Sequence, residues 1–587
     1  VIQAIGLTSN ARKELPPAVD DVSFEVPAGR VTALLGAPGA GKTTALRLML
    51  ELQQGRGITY FRGRPLHRIA HPSREVGVLL GEVPGHPART VRGQLRMLCA
   101  ATGVPARRAD DVLEVVGLVS LRDQRLSTLS RGMDRRLGLA CALLSDPHTL
   151  VLDDAADGLS AREGRWLHGI LRAHAAGGGT VLFATGDPKE AARTADRVVT
   201  LEEGRLVADQ DVIDFARTRL RPRVAVRSPH AARLGALLTK EARTARRSVE
   251  VVREDGNRLS VYGSTCADIG ETAYRHSILV HQLADEVGDM GPVPARHPAS
   301  DSPEAERPAR TADAEGANEL SPLPPPITAR PGTSPLRPLR YELRRAAGVA
   351  TGYLTAVAVL VASALISVLL ARAGHTPQAR LLAAWPREFP LPPAALGAGL
   401  LGAIAFGDEF RHPALAADRG NVPRRLGLLA AKLLVAAATA LLLALLAVGV
   451  DAELLYLVYG RELTGVPEDW LSLSVSWIGL VVGCAWAGVL AAGIFRSTTA
   501  GLAAVLAVPV LVVPLVQKVL EGPSVRTAAG FSTRLRELVL VQWPFGGERY
   551  VAAVARVIAQ PVGGALMLSI SALLCAYLLT TLRSRVR

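Results

Sequence analysis

The chain has 587 residues, with 67 Lys and Arg against 53 Asp and Glu, for a formal net charge of +14. Hydrophobic residues make up 49% and charged residues 20%, which excludes a wholly disordered chain. Only six of the basic residues are Lys, and an Arg excess beside abundant Ala, Gly and Pro follows from GC-rich coding as readily as from a nucleic-acid partner, so no nucleic-acid role is expected.

Val1–Asn10 holds no charged segment leading into an apolar run, so no secretory signal is expected there. The five Cys stand far apart and form no CxxC pair, and the His show no HExxH spacing, so neither a zinc ribbon nor a disulfide framework is expected.

The first motif is VTALLGAPGAGKTTALRLML, Val31–Leu50. A short apolar strand, Val31–Leu35, leads into Gly36, Ala37, Pro38, Gly39, Ala40, Gly41, Lys42, Thr43 and Thr44, and a helix follows with Leu46, Met49 and Leu50 on one face. This is GxxxxGK[ST] in its strand–loop–helix setting. The glycines let successive backbone amides turn inward around a phosphate, and the helix N-terminus adds its positive dipole end. Lys42 is placed to reach the β- and γ-phosphates of ATP, and Thr43 to offer a hydroxyl to Mg²⁺. A second oxygen for the metal comes from TLVLDDAADGLS, Thr149–Ser160, where the strand Leu150–Leu152 ends at Asp153. Between the two lies LSRGM, Leu129–Met133, and then a helix with Leu137, Ala140, Cys141 and Leu144 on one face.

This order and spacing resembles the ATP-binding cassette of ABC transporters, over residues 1–215. The resemblance implies an α/β P-loop cassette that binds ATP and Mg²⁺. It also implies a dimer, homomeric or with a different cassette/permease chain, in which the signature of one subunit closes over the ATP of the other. Ser130 and Gly132 are the signature residues here. The family commonly follows the metal Asp with a Glu that polarises the attacking water; this position is Asp154, one methylene shorter, which is expected to slow hydrolysis. The switch His expected after the strand Thr180–Thr185 is replaced by Gly186. Gly81 and Glu82 stand where a Gln is usual after Val76–Leu80, Ser160 replaces an Asp, and no aromatic near Ala11 is available to stack on adenine.

Residues 216–286 read as a small α+β domain. RVAVRS, SVEVVRE and RLSVYGS alternate like strands, Ala231–Arg246 and Cys266–His276 read as helices, and Ile278–Leu283 as a last strand. This βαββαβ order predicts a ferredoxin-like sandwich, and it is similar to the C-terminal appendage of drug-export ATPases of the family. Residues 287–340, crowded with Pro, Ala and charge and including Ser321–Pro326, read as a flexible, disordered linker.

Residues 341–587 change in character. Gly348–Ala371 has no charge across 24 residues, enough to span a bilayer. Five further spans are expected at Leu391–Phe406, Leu433–Val450, Leu471–Phe495, Gly501–Val516 and Pro561–Leu582, giving an all-α membrane domain of six helices in contact with lipid, with Trp385, Trp470 and Trp543 near span ends. Arg344, Arg345, Arg411, Arg419, Arg424, Arg425, Lys432, Arg583, Arg585 and Arg587 fall on one side of such a topology, the cytoplasmic side by the positive-inside rule, while Asp451, Glu453, Glu462, Glu468 and Asp469 fall in an outer loop. Residues 517–560 break the rule, with Lys518, Arg526, Arg534, Arg536, Arg549 and Arg556. The segment Ala405–Leu434, with its Asn421–Pro423 break, resembles the cytoplasmic loop of type-2 ABC permeases. By that likeness Glu409 and Phe410 face the ATPase and Lys432 snorkels at the membrane surface. The spans read as nearly free of charge, which points to an amphipathic cargo rather than an ion. The expected function is that of an ATP-driven exporter half-unit in the cytoplasmic membrane, its cargo unknown. The alternative is an ATP-gated membrane regulator with little hydrolysis.

Overall fold

The computed structural model describes residues 1–11, 16–69, 71–83, 85–245, 247–255, 257–289, 323–327, 336–374, 376–386, 389–411, 425–460, 470–515 and 561–586.

The N-terminal part is built on two sheets. Strands β1 (Ile2–Ser9), β2 (Val22–Val26), β4 (Gly55–Phe61) and β5 (Arg64–Pro65) form an antiparallel sheet in the order β2-β1-β4-β5. Strands β3 (Val31–Leu35), β6 (Val76–Leu80), β7 (Thr149–Asp153), β8 (Thr180–Thr185), β9 (Arg197–Glu202) and β10 (Arg205–Asp211) form a second sheet in the order β10-β9-β3-β8-β7-β6. All neighbours in it are parallel except the edge strand β10. Every residue of β3, β7 and β8 is buried, which is why these strands read as unbroken apolar runs rather than alternating ones. Ile2, Phe24, Leu34, Leu46, Met49 and Leu182 fill the core on one face; Leu35, Leu152, Leu167, Ile170 and Phe183 fill the other. Since β8 lies between β3 and β7, the loops leaving the carboxyl ends of β3 and β7 flank one crevice, where open parallel sheets bind ligands.

Strands β11 (Leu220–Arg227), β12 (Glu250–Asp255), β13 (Arg258–Tyr262) and β14 (Gln282–Asp289), with helices Ala231–Thr244 and Cys266–Arg275, form an antiparallel sheet in the order β12-β13-β11-β14. This is the ferredoxin-like arrangement. Leu234, Leu238, Leu259, Val261 and Ile269 make its core. The last strand lies later than Ile278–Leu283. Ser277 takes a positive φ of 51° and ends the preceding helix with a turn, Ile278 folds back into the core, and pairing with β11 begins at Gln282.

Two pieces of the expected linker have fixed places. Pro325 accepts a hydrogen bond from the buried Arg108, Ile327 N–H donates to Asp146 at 3.1 Å, and Leu323 packs on the cassette core. A helix begins at Arg337, before the expected boundary at residue 340, and runs to Ala347. We call it the connector helix.

Beyond it come helices Ala350–Ala373, Pro393–Arg411, Arg425–Tyr459, Trp470–Phe495, Thr498–Ala507 and Pro561–Val586. Among the described residues four stretches are long and apolar enough to cross a membrane: Ala350–Ala373, Leu426–Tyr459, Leu473–Phe495 and Thr498–Leu515. Helices stand at all six expected places, and four of them meet this measure among the described residues, so the count of six spans is not confirmed. Pro393–Arg411 spends its last turn on Asp408, Glu409 and Arg411, and the apolar part of the last helix is the shorter stretch Ala565–Leu579. Thr498–Leu515 passes through a π-helical turn at Val508–Val512, where Pro509 brings no amide to the hydrogen-bond ladder. Pro393–Arg411 lies against Trp470–Phe495 at backbone distance: a Cβ on Gly402 would sit 2.2 Å from the Ala485 carbonyl, and one on Gly488 2.2 Å from that of Gly399.

The third expected span is longer than Leu433–Val450, because the helix continues to Tyr459. Asp451 and Glu453 thus belong to a helix and not to an outer loop, and Asp451 is fully buried. Glu462, Glu468, Asp469, the Asn421–Pro423 break, Arg419, Arg424, Trp543 and residues 517–560 lie outside the described residues.

Candidate functional site

The loop after β3 closes around its own lysine. Lys42, 7% exposed, points its ammonium back at the Gly36 and Ala37 carbonyls, at 2.7 and 3.3 Å. Gly41 caps the following helix, Lys42–Met49, with a φ of 96° and is wedged against the chain, since a Cβ there would sit 2.3 Å from the Ala18 carbonyl. Gly39, at φ 87°, has nothing within 4 Å of its missing Cβ, so the tip of the loop is open. Ala37, Pro38, Ala40 and Thr44 complete the loop.

From the other side of β8, Asp153 at the end of β7 meets this loop. Thr43 Oγ1 donates to Asp153 Oδ2 at 2.7 Å. Asp153 Oδ1 is buried with no partner at all. An orphaned carboxylate oxygen beside a threonine hydroxyl, at the N-terminus of a helix, is the hard-oxygen surrounding that Mg²⁺ takes, and phosphates supply the ligands a protein leaves out. The residues present fit a magnesium nucleotide.

Asp154 follows with a φ of 44°, a left-handed conformation that a non-glycine residue adopts at a cost, and its amide donates to the Ala184 carbonyl at 3.1 Å. Partial burial, with the neighbouring Asp153 carboxylate second, pushes its carboxyl above the ordinary range. Gly186, after β8, would carry a Cβ no closer than 3.6 Å to Gly36 O, so space for a side chain exists where the chain has none.

Ser130 caps the helix Arg131–Leu143, its hydroxyl accepting from Met133 N–H at 3.3 Å. Gly132 packs on the loop after β7, where a Cβ would sit 2.7 Å from the Gly158 carbonyl. Two residues of this helix that the sequence did not single out tie it to the crevice. Arg135, 8% exposed, donates to the Gly81 carbonyl and stands 3.5 Å from Asp157. Asp134 accepts from Val83 N–H at 3.1 Å. Both bridge the turn after β6 to the signature helix, and no local pattern marks a surface-type arginine for burial.

The cassette is also joined to the apolar helices. Tyr341 of the connector helix and Leu428 pack with Val91, Leu95 and Met97 of the cassette helix Val91–Thr102. Arg89, 3% exposed, donates to the Arg344 and Arg345 carbonyls at 3.2 and 3.0 Å, so a cation closes the C-terminal end of the connector helix. Burial, with Arg345 second, lowers its guanidinium to about 10. Glu342 on the same helix meets Arg345 at 2.5 Å and Lys432 at 3.1 Å. Lys432 does not snorkel. It is 0% exposed and is held by Glu342, by Glu409 at 2.8 Å, by the Ala405 carbonyl at 2.8 Å and by the Phe406 ring, whose centroid is 4.6 Å away. Glu409 pairs with Lys432 and also lines a small pocket with His86, Arg89 and Met97 of the cassette, so it faces the ATPase as expected; the Phe410 side chain lies outside the described residues.

Residues 19–157 match the ABC transporter family model, and residues 222–290 match a domain of unknown function, DUF8746. The Nod factor export ATP-binding protein I of Burkholderia lata is 38% identical over 197 residues, 32% of this chain and 65% of that protein. The sulfate/thiosulfate import ATP-binding protein CysA of Nocardia farcinica is 33% identical over 206 residues, 34% of this chain and 62% of that protein. The chain thus spans somewhat under two thirds of the length of these curated relatives. A solved ATP binding subunit of an ABC transporter is 24% identical, covering 37% of this chain and 92% of that one, with a TM-score of 0.34. With the phosphate loop, the strand-end aspartate and the signature helix in place, the N-terminal part of this chain is an ATP-binding cassette of the ABC transporter family, carried on one polypeptide with helices able to cross a membrane.

Proposed function

We propose that the chain is half of an ATP-driven ABC exporter, paired with an identical or related chain, that moves an amphipathic compound across the cytoplasmic membrane. Its domains would be residues 1–215, 216–286, 287–340 and 341–587, with the cassette in the cytoplasm. The observation that carries the reading is the junction: the start of the cassette helix Val91–Thr102, the connector helix and the base of an apolar helix meet in one buried charge cluster, through Arg89, Glu342 and Lys432.

In this reading ATP with Mg²⁺ supplies the phosphoryl group whose transfer to water drives the cycle. Gly36, Ala37, Pro38, Gly39, Ala40, Gly41, Lys42, Thr43 and Thr44 surround its phosphates. Thr43 and Asp153 hold the metal. Asp154 orients the attacking water and takes its proton at a carboxylate oxygen. Ser130 and Gly132 close over the partner chain's nucleotide. Arg135 ties that signature helix to the turn after β6, so closure pulls on Gly81. Export is supported by the Nod factor export relatives, while an import ATPase matches at nearly the same identity, so direction rests on the reading as a whole.

A second reading, an ATP-gated regulator with little hydrolysis, is favoured by the side-chain space that Gly186 leaves beside Gly36 and by the shorter Asp154. ATP-dependent movement of amphipathic dyes into inverted vesicles, wild type against Lys42→Ala, tests the first reading. Loss of movement in the variant is expected; equal movement in both would overturn it. Nucleotide binding without movement in either would favour the regulator.

A further inference from the structure

The membrane helices hold a fully buried acid that the mechanism above does not use. Asp451 lies 19 residues beyond Lys432 on the helix Arg425–Tyr459, about 28 Å along its axis at 1.5 Å per residue. Since Lys432 marks the cassette end and a hydrocarbon core is about 30 Å thick, Asp451 belongs to the half of the membrane domain remote from the cassette. It is 0% exposed. Ser363 Oγ donates to its Oδ2 at 2.7 Å, and its Oδ1 has no partner.

What faces it is unusual for a span. Helix Ala350–Ala373 turns Leu354, Val357, Val361, Leu365 and Leu369 outward. Its two buried residues are Ser363 and Ser367, one turn apart on one face. A purely structural span would bury leucines there. Trp477 Nε1, seven residues into the returning helix Trp470–Phe495 and so at a similar depth, is another buried polar atom with no partner. Among the described residues of the first three membrane helices, the cation nearest in sequence to this level is Arg372, nine residues past Ser363 and exposed. A buried intramembrane carboxylate with no basic partner costs several kcal/mol in lipid unless a proton or a cation neutralises it.

We propose that Asp451, with Ser363, is the recognition point for the positively charged head of a cationic amphiphile. The proposal rests on the transport reading for its purpose and narrows the cargo class from amphipathic compounds to lipid-soluble cations. The carboxylate oxygen left bare receives the ammonium, and the Ser363 hydroxyl orients the carboxylate. The site is packed shut here, so the helices Ala350–Ala373 and Arg425–Tyr459 must part to admit the cargo.

Equilibrium binding tests this without relying on turnover. The full chain is placed in nanodiscs of zwitterionic phosphatidylcholine, and the binding of a dodecyl chain ending in trimethylammonium is compared with that of its uncharged tert-butyl isostere. Wild-type protein is expected to prefer the cation by about tenfold, the equivalent of one well-placed charge contact. Asp451→Asn is expected to abolish the preference while ATP binding stays unchanged, Asp451→Glu to retain it, and Ser363→Ala to weaken it by about threefold. Lys42→Ala is expected to keep the preference in full, so a failure of ATP-driven transport and a failure of this site are read separately. An equal preference in wild type and Asp451→Asn, or none in wild type, would overturn the proposal.

Discussion

The Lys432 ammonium stands 3.1 Å from the Glu342 carboxylate, and both side chains are sealed from solvent. One belongs to an apolar helix and the other to the connector helix that Arg89 of the cassette holds by its last carbonyls. Burial raises the Glu342 carboxyl, but Arg345 and Lys432 outweigh it and keep it below the usual range. Two carboxylates, two cations and a ring therefore meet where the ATPase joins the apolar helices.

Removing the central cation strands two buried acids. Lys432→Met is expected to cost about 3–5 kcal/mol, read as a lower midpoint in thermal unfolding of the purified chain. Lys432→Arg keeps the charge and is expected to cost less. A Met variant as stable as wild type would mean that the cluster is not closed in solution.

Arg89→Ala leaves the phosphate crevice untouched but frees the end of the connector helix. ATP affinity is expected to stay at the wild-type value while ATP-driven dye movement in vesicles falls about tenfold or more, a loss of roughly 1.4 kcal/mol in coupling. If movement and affinity fall together, Arg89 supports the cassette fold instead.

Gly41 and Gly39 both adopt positive φ, yet they predict different outcomes. Gly39→Ala meets open space and bears only backbone strain, about 1 kcal/mol. Gly41→Ala also drives a methyl to 2.3 Å from the Ala18 carbonyl, so nucleotide binding is expected to vanish for this variant alone. Calorimetric titration with ATP on both proteins separates them.

Asp154→Glu restores the reach of a longer carboxylate and is expected to raise phosphate release by about tenfold or more, whereas Asp154→Asn is expected to abolish it. No gain in the Glu variant would mean that Asp154 already reaches its water.

The same residue sets a pH dependence of stability. Its carboxyl sits above the ordinary 3.8 when folded, so the folded state loses stability as pH rises from the unfolded value through the folded one. Asp154→Asn removes that loss. In the absence of nucleotide its melting point is expected to lie above that of wild type at pH 7, and the difference to close below the ordinary carboxylate range. A difference independent of pH would refute the assignment.

The phosphate loop, Asp153, the signature helix and the βαββαβ order were legible because each is local. A glycine loop between an apolar strand and a helix, or a strand ending at an aspartate, needs only neighbouring residues to be read. The βαββαβ domain lost only the place of its last strand, which a helix-ending turn at Ser277 and the pairing with β11 decide. The fate of Lys432 could not be read, because hydropathy tells how apolar a helix is and not what packs on it. Its partner Glu342 is 90 residues away in sequence and Glu409 is 23, so folding had to bring two acids to it before burial became cheaper than reaching for water. Asp451 passed for a loop residue for the same reason: only packing against Ser363, 88 residues earlier, shows that the helix continues past it. Local chemistry named the nucleotide site, and long-range packing chose which charges stay inside.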